Sequence, residues 1–131
     1  MSARRAILVV DDEPILLLAI KRELRLKFGS GYIYEMATSA ELGLAAIDRL
    51  ANEGAELVLV ISDWLMPGMK GDEFLKTVRE SRPEVKLVML SGHADASQVK
   101  ALSDEAELFA FLSKPYQSSQ LFEIVHRALG A

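Results

Sequence analysis

The sequence predicts an α/β domain in which a parallel sheet is covered by helices on both faces. Two observations carry that expectation. Ala6–Val10, Leu57–Ile61 and Lys86–Leu90 are short runs rich in Val, Ile and Leu, with no polar alternation. Continuous runs of this kind suit strands buried on both faces. Between them lie longer stretches whose apolar residues recur at helical spacing. Strands alternating with helices imply crossover connections and a parallel sheet.

The elements follow in chain order. Ala6–Val10 is the first strand. Leu17, Ile20, Leu24 and Phe28 mark the first helix, and Gly29 is its stop signal. Tyr32–Thr38 is more mixed and reads as an edge strand. Ser39 caps a second helix carrying Leu44, Ile47 and Leu50, with Glu41 and Glu53 on its polar side. After the third strand, Leu57–Ile61, residues Phe74, Leu75 and Val78 mark a helix that starts near Gly71. Lys86–Leu90 is the fourth strand. The fourth helix, from Asp95 to Asp104, has only Val99 and Leu102 as large apolar residues, so it is expected to be the most loosely anchored. Leu108–Leu112 is a shorter fifth strand. The last helix, from Ser118 or Ser119, carries Leu121, Ile124, Val125 and Ala128. The 131 residues, 1–131, read as a single domain with no effector domain in this chain.

Composition narrows the function. Half of the residues are hydrophobic, enough for a core, and the net charge is −4. That charge argues against general nucleic-acid binding, which needs a basic face to neutralise phosphates. There is no cysteine, which excludes disulfides, thiolate metal sites and a cysteine nucleophile. No apolar run is long enough to span a bilayer, and Ala6–Val10 is too short for a signal-peptide core. The expectation is a cytoplasmic domain that does not engage a membrane.

In folds of this class, ligands bind beyond the carboxyl ends of the strands. Asp11, Asp12 and Glu13 follow the first strand, Ser62 and Asp63 the third, Ser91 and Gly92 the fourth, and Ser113, Lys114 and Pro115 the fifth. Each has an ordinary explanation alone. Asp11 or Asp12 can cap the first helix, with Pro14 in its first turn. Glu13 suits the helix dipole better than it suits a ligand role. Ser91 can be a turn residue and Lys114 a solvated surface lysine. Together they form a coherent set. Clustered carboxylates repel one another unless a cation neutralises them. Oxygen ligands without His or Cys suit Mg²⁺, with Mn²⁺ as the alternative. A carboxylate can attack phosphorus to give an acyl phosphate, and its oxygens are then stabilised by metal, ammonium and hydroxyl groups.

Ile7-Leu8-Val9-Val10-Asp11-Asp12-Glu13-Pro14, Ser62-Asp63-Trp64-Leu65-Met66-Pro67-Gly68 with Gly71 following, Ser91-Gly92, and Ser113-Lys114-Pro115 resemble, in order, the four signatures of receiver domains of two-component response regulators. The resemblance covers nearly the whole chain. It implies a flavodoxin-like (βα)5 three-layer sandwich with strand order 2-1-3-4-5. Asp63 resembles the phosphorylated aspartate. Asp12 resembles the direct Mg²⁺ ligand, Asp11 the acid that holds the metal through water, and the Leu65 main-chain carbonyl a further ligand alongside Asp63. Lys114 resembles the lysine that pairs with the phosphoryl group, and Ser91 the hydroxyl residue that swings in to bond it. Pro115 resembles the proline whose preceding peptide is often cis. Phe111 occupies the place of the switch aromatic; it is equally read as a core residue of the fifth strand.

Leu65 and His93 lie two residues after Asp63 and Ser91, at positions the resemblance ties to dephosphorylation. Leu65 shields the site from water, and His93 either orients a water or points to solvent. Trp64 is expected partly exposed beside the site. His126 reads as a surface residue. The resemblance further implies a signalling switch and not an enzyme beyond Mg²⁺-dependent self-phosphorylation and autodephosphorylation. It implies a sensor histidine kinase or histidine phosphotransfer protein as donor and an effector protein or domain as target. The surface formed by helix four, strand five and helix five is its output face, open also to homodimerisation.

Two other activities fit less well. An Asp-nucleophile phosphatase of the haloacid dehalogenase type wants a second acid two residues after the nucleophile, where this chain has Leu65. A flavin or nucleotide module wants a Gly- or Ser/Thr-rich loop after the first strand, where Asp11-Asp12-Glu13 would repel an anion.

Overall fold

The computed structural model describes residues 4–92 and 95–130. Five strands alternate with five helices: β1 (Arg5–Val10), α1 (Pro14–Phe28), β2 (Ile33–Ala37), α2 (Ala40–Asn52), β3 (Glu56–Asp63), α3 (Gly71–Ser81), β4 (Lys86–Ser91), α4 (Ala96–Ala106), β5 (Ala110–Ser113) and α5 (Ser118–Ala128). All strand pairs are parallel and the order is β2-β1-β3-β4-β5. This is the flavodoxin-like arrangement, with β2 and β5 at the edges.

Strand residues alternate between two cores, as a pleated backbone requires. Ile7 and Val9 of β1 join Leu59, Ile61, Val88 and Leu90 on the face covered by α1 and α5. Leu8 and Val10 join Val60, Leu87 and Met89 on the face covered by α2, α3 and α4. Burial on both faces explains why β1, β3 and β4 read as unbroken apolar runs.

Local signals set the helix ends. Gly29 takes φ 89°, and its N–H donates to the Arg25 carbonyl to close α1. The Ser39 hydroxyl accepts the Leu42 N–H at the start of α2. Asp95 and Gln98 form a reciprocal capping box on α4. The N-cap residue of α1 is Glu13, not Asp11 or Asp12. It is extended and makes no side-chain cap, and Pro14 follows at the first helical position.

Candidate functional site

Sheet order places β1 and β4 on either side of β3, with β5 beside β4. Register sets Val10 against Ser62, Asp63 against Leu90 and Ser91 against Ser113. The polar residues that close or follow these strands therefore share one rim.

Asp63 is the last residue of β3 and is buried. Its Oδ1 accepts the Trp64 N–H at 2.9 Å and faces the Lys114 ammonium at 3.1 Å. Both contacts fall on Oδ1, so Oδ2 is the oxygen that these two donors leave for chemistry. Lys114 also reaches Asp11 Oδ2 at 3.4 Å, while Asp11 Oδ1 accepts the Glu13 N–H at 2.9 Å. Both Asp11 oxygens are thus engaged by the protein. Asp12 is exposed and makes no hydrogen bond or ion pair among the described residues. Asp11, Asp12 and Asp63 each bring a carboxylate oxygen within 4.8 Å of the others.

Burial pushes the Asp11 carboxyl above its usual range; the Glu13 N–H and the Lys114 charge oppose this without cancelling it. Burial alone would lower the Lys114 ammonium, but the hydrogen bond and charge of Asp63, followed by Asp11, hold it above the ordinary lysine value. Lys114 is therefore a firm cation. Three carboxylates against one ammonium still leave excess negative charge, and the all-oxygen donor set fits a hard divalent cation.

Ser91 ends β4 and is buried, and its carbonyl accepts the Lys114 N–H at 2.9 Å. The Lys114–Pro115 peptide is cis. Leu65 is 49% exposed on the rim. A cleft of about 790 Å³ opens over Asp12, Asp63, Ser91 and Lys114 and continues between Leu16 and Tyr116. Phe111 is partly buried, packed against the core under α4. His93 lies outside the described residues.

Trp64 corrects the expectation of partial exposure. At 9% it belongs to the core under α3 and α4. β3 runs two residues further than the apolar run suggests, and the Trp64 N–H is drawn to the Leu90 carbonyl at 3.1 Å. Met66, in the loop that follows, is also buried. Two features escaped sequence reading. Tyr116 and Leu16 wall the cleft; the position of Tyr116 directly after Pro115 was the available signal. Arg79 binds carbonyls of α4's end, and no pattern marks it.

The response regulator receiver domain family matches residues 7–126. The chain is 35% identical over 129 residues to the hydrogenase transcriptional regulatory protein HoxA of Bradyrhizobium diazoefficiens, covering 98% of this chain and 25% of that protein. It is 31% identical over 129 residues to the sensor kinase CckA of Brucella abortus, covering 98% of this chain and 13% of the kinase. The chain thus spans a quarter or less of these relatives. A CheY-like response regulator receiver domain protein from Methanospirillum hungatei, known by crystal structure, superposes with a TM-score of 0.82 at 32% identity, covering 98% of this chain and 95% of that one. No helix among the described residues is long and apolar enough to cross a membrane.

Proposed function

The chain belongs to the response regulator receiver domain family, and on that premise we propose that it is a phosphorylation-activated switch whose acceptor is Asp63. The observation that carries the reading is the Lys114 ammonium held between Asp63 and Asp11 at the strand ends. An Asp63 carboxylate oxygen attacks the phosphorus of a phosphohistidine or small phosphodonor; the donor's bond to phosphorus breaks and an acyl phosphate forms. Lys114 neutralises charge on the transferred group, and the Ser91 hydroxyl donates to it. Mg²⁺, held by Asp12, Asp63 and the Leu65 carbonyl and through water by Asp11, would neutralise phosphoryl charge when bound. The exposed Leu65 side chain shields the acyl phosphate from water.

The donor is a sensor histidine kinase or histidine phosphotransfer protein in the cytoplasm. Ile15 and Leu18, 83% and 68% exposed at the start of α1, offer it an apolar landing beside Asp12. The output face is α4, β5 and α5, which contacts an effector or a second copy of the chain. Ser91 and Lys114 border this face and link it to the phosphoryl group.

Beryllofluoride with Mg²⁺, a phosphoryl mimic, tests the switch. Amide hydrogen exchange is expected to change most between residues 95 and 122 and little in β1 and β2. Changes confined to residues before Asp63 would refute the output face.

A second expectation separates the two metal-site acids. Asp12 has free oxygens, whereas both oxygens of Asp11 are already engaged. Replacing a carboxylate that acts at second hand costs about 10–100-fold in metal affinity. Asp12→Asn is expected to cost more than Asp11→Asn, read by Mg²⁺ titration of Trp64 fluorescence. The reverse order would exchange their roles.

A further inference from the structure

α4 is held more firmly at its C-terminal end, although Val99 in its first half also packs against the core. Its two buried side chains, Leu102 and Ala106, both lie in its C-terminal half. The helix borders open space on two sides, through its first half and on to Leu102 and Asp104. A cavity of about 500 Å³ lies toward β5, between Val99 and Phe111. Another of about 240 Å³ lies toward α3, between Gln98 and Trp64.

The C-terminal end is tied down by Arg79 of α3. Its Nε donates to the Ala106 carbonyl at 2.7 Å and its Nη2 to the Glu107 carbonyl at 3.1 Å. Its Nη1 donates to the Arg82 and Pro83 carbonyls at 3.2 and 2.7 Å. One guanidinium thereby joins the ends of two helices. The last carbonyls of a helix lack intrahelical donors, and a cation there also complements the helix dipole. Charge-assisted bonds to them are among the stronger hydrogen bonds. Glu107 takes φ 53°, a left-handed conformation that costs a residue with a side chain, and its carbonyl is one of those held. Lys76 pairs with Glu105 at 2.8 Å beside the clamp, but both side chains are well exposed and add little.

We propose that Arg79 is the pin of a hinge at Ala106–Glu107, about which α4 pivots when the site is phosphorylated. The geometry favours tilt over translation. α4 is roughly 16 Å long, so a tilt of about 10° carries its Asp95 end some 3 Å while the pinned end stays in place. The cavities beside Val99 and Gln98 give that end room on both sides. Leu102, near the pin, moves least, so the core contact survives the motion. Arg79 is thus a positioning residue that makes the output face change mainly at its Asp95 end.

The pivot rests on the switch reading proposed above; the clamp does not. Amide exchange measured in two states separates them. In the resting protein, Ser103–Ala106 is expected to exchange at least about tenfold more slowly than Val99–Ala101. Arg79→Met is expected to remove that difference and leave β1 and β3 unchanged. Arg79→Lys, which can satisfy one or two of the four carbonyls, falls between, and it decides the matter if Arg79→Met does not fold. With beryllofluoride and Mg²⁺, wild type is expected to change more at Ala96–Val99 than at Ala106–Phe109; in the Arg79 variants the two segments change alike. Unchanged α4 protection in both variants overturns the clamp. Equal change at both ends of wild-type α4 overturns the pivot. A wild-type protein that binds no beryllofluoride refutes the switch reading and with it the pivot, while the resting comparison still decides the clamp.

Discussion

Asp63→Asn is expected to abolish uptake of a phosphoryl group from acetyl phosphate in the presence of Mg²⁺. An amide oxygen is a poor nucleophile, and no acyl phosphate can form on it. The substitution is otherwise gentle. Asn has nearly the same shape, and its carbonyl oxygen can accept the Trp64 N–H and face Lys114 as Asp63 Oδ1 does. The fold should therefore be retained, with a thermal midpoint close to wild type, so a lost adduct reports chemistry and not unfolding. Intact-mass spectrometry should show one added phosphoryl group on wild type, none on Asp63→Asn, and none on wild type stripped of divalent metal. An equal adduct on the variant would move the acceptor elsewhere. Asp12 would be the first place to look, since it is exposed and its carboxylate lies within the same cluster.

The parts of the molecule legible from sequence are those in which one residue's chemistry determines one local outcome. Unbroken apolar runs marked β1, β3 and β4 because both sheet faces are covered. Gly29 and Ser39 marked helix ends because their backbone and hydroxyl act within a few residues. The rim residues were legible because strand ends in a parallel sheet converge. What stayed hidden depends on distance or on the backbone. Asp11 and Asp12 are adjacent in sequence, and only the fold shows that Asp11 points at Lys114, 103 residues away, and Asp12 at solvent. The loosely anchored α4 expected from Val99 and Leu102 has no fully buried side chain before Leu102. Its C-terminal end is secured by Arg79 through carbonyls 27 and 28 residues distant, and carbonyls leave no trace in a sequence. Trp64 was misplaced because a polar pair, Ser62-Asp63, hides the continuation of β3.

Gly71→Ala is expected to be the most damaging single-methyl change in the domain. A Cβ at Gly71 would fall on the Asp63 carbonyl oxygen and come within 2.9 Å of the Trp64 Cα and 3.0 Å of the Asp63 carbonyl carbon. These neighbours are backbone, so no side chain can rotate aside. The two segments are also bonded: the Gly71 N–H donates to the Trp64 carbonyl at 2.8 Å, which closes the loop from Asp63 into α3. To admit the methyl group, α3 must withdraw from β3 or the Asp63 peptide must shift. Overpacking of this kind costs roughly 3 kcal/mol, at the upper end of the usual range because the obstacle is main chain. In a domain of this size that lowers the thermal midpoint by roughly 10 °C. The shift also moves the carboxylate that faces Lys114, so the fraction that remains folded should bind Mg²⁺ and beryllofluoride more weakly than wild type. Gly31→Ala is the control, since a Cβ there meets nothing within 4 Å. It is expected to be neutral or slightly stabilising, because alanine restricts the unfolded chain more than glycine does. Thermal unfolding of the two variants beside wild type decides the point. A Gly71→Ala protein as stable as Gly31→Ala would mean that α3 can withdraw at no cost and that Gly71 does not set the position of Asp63.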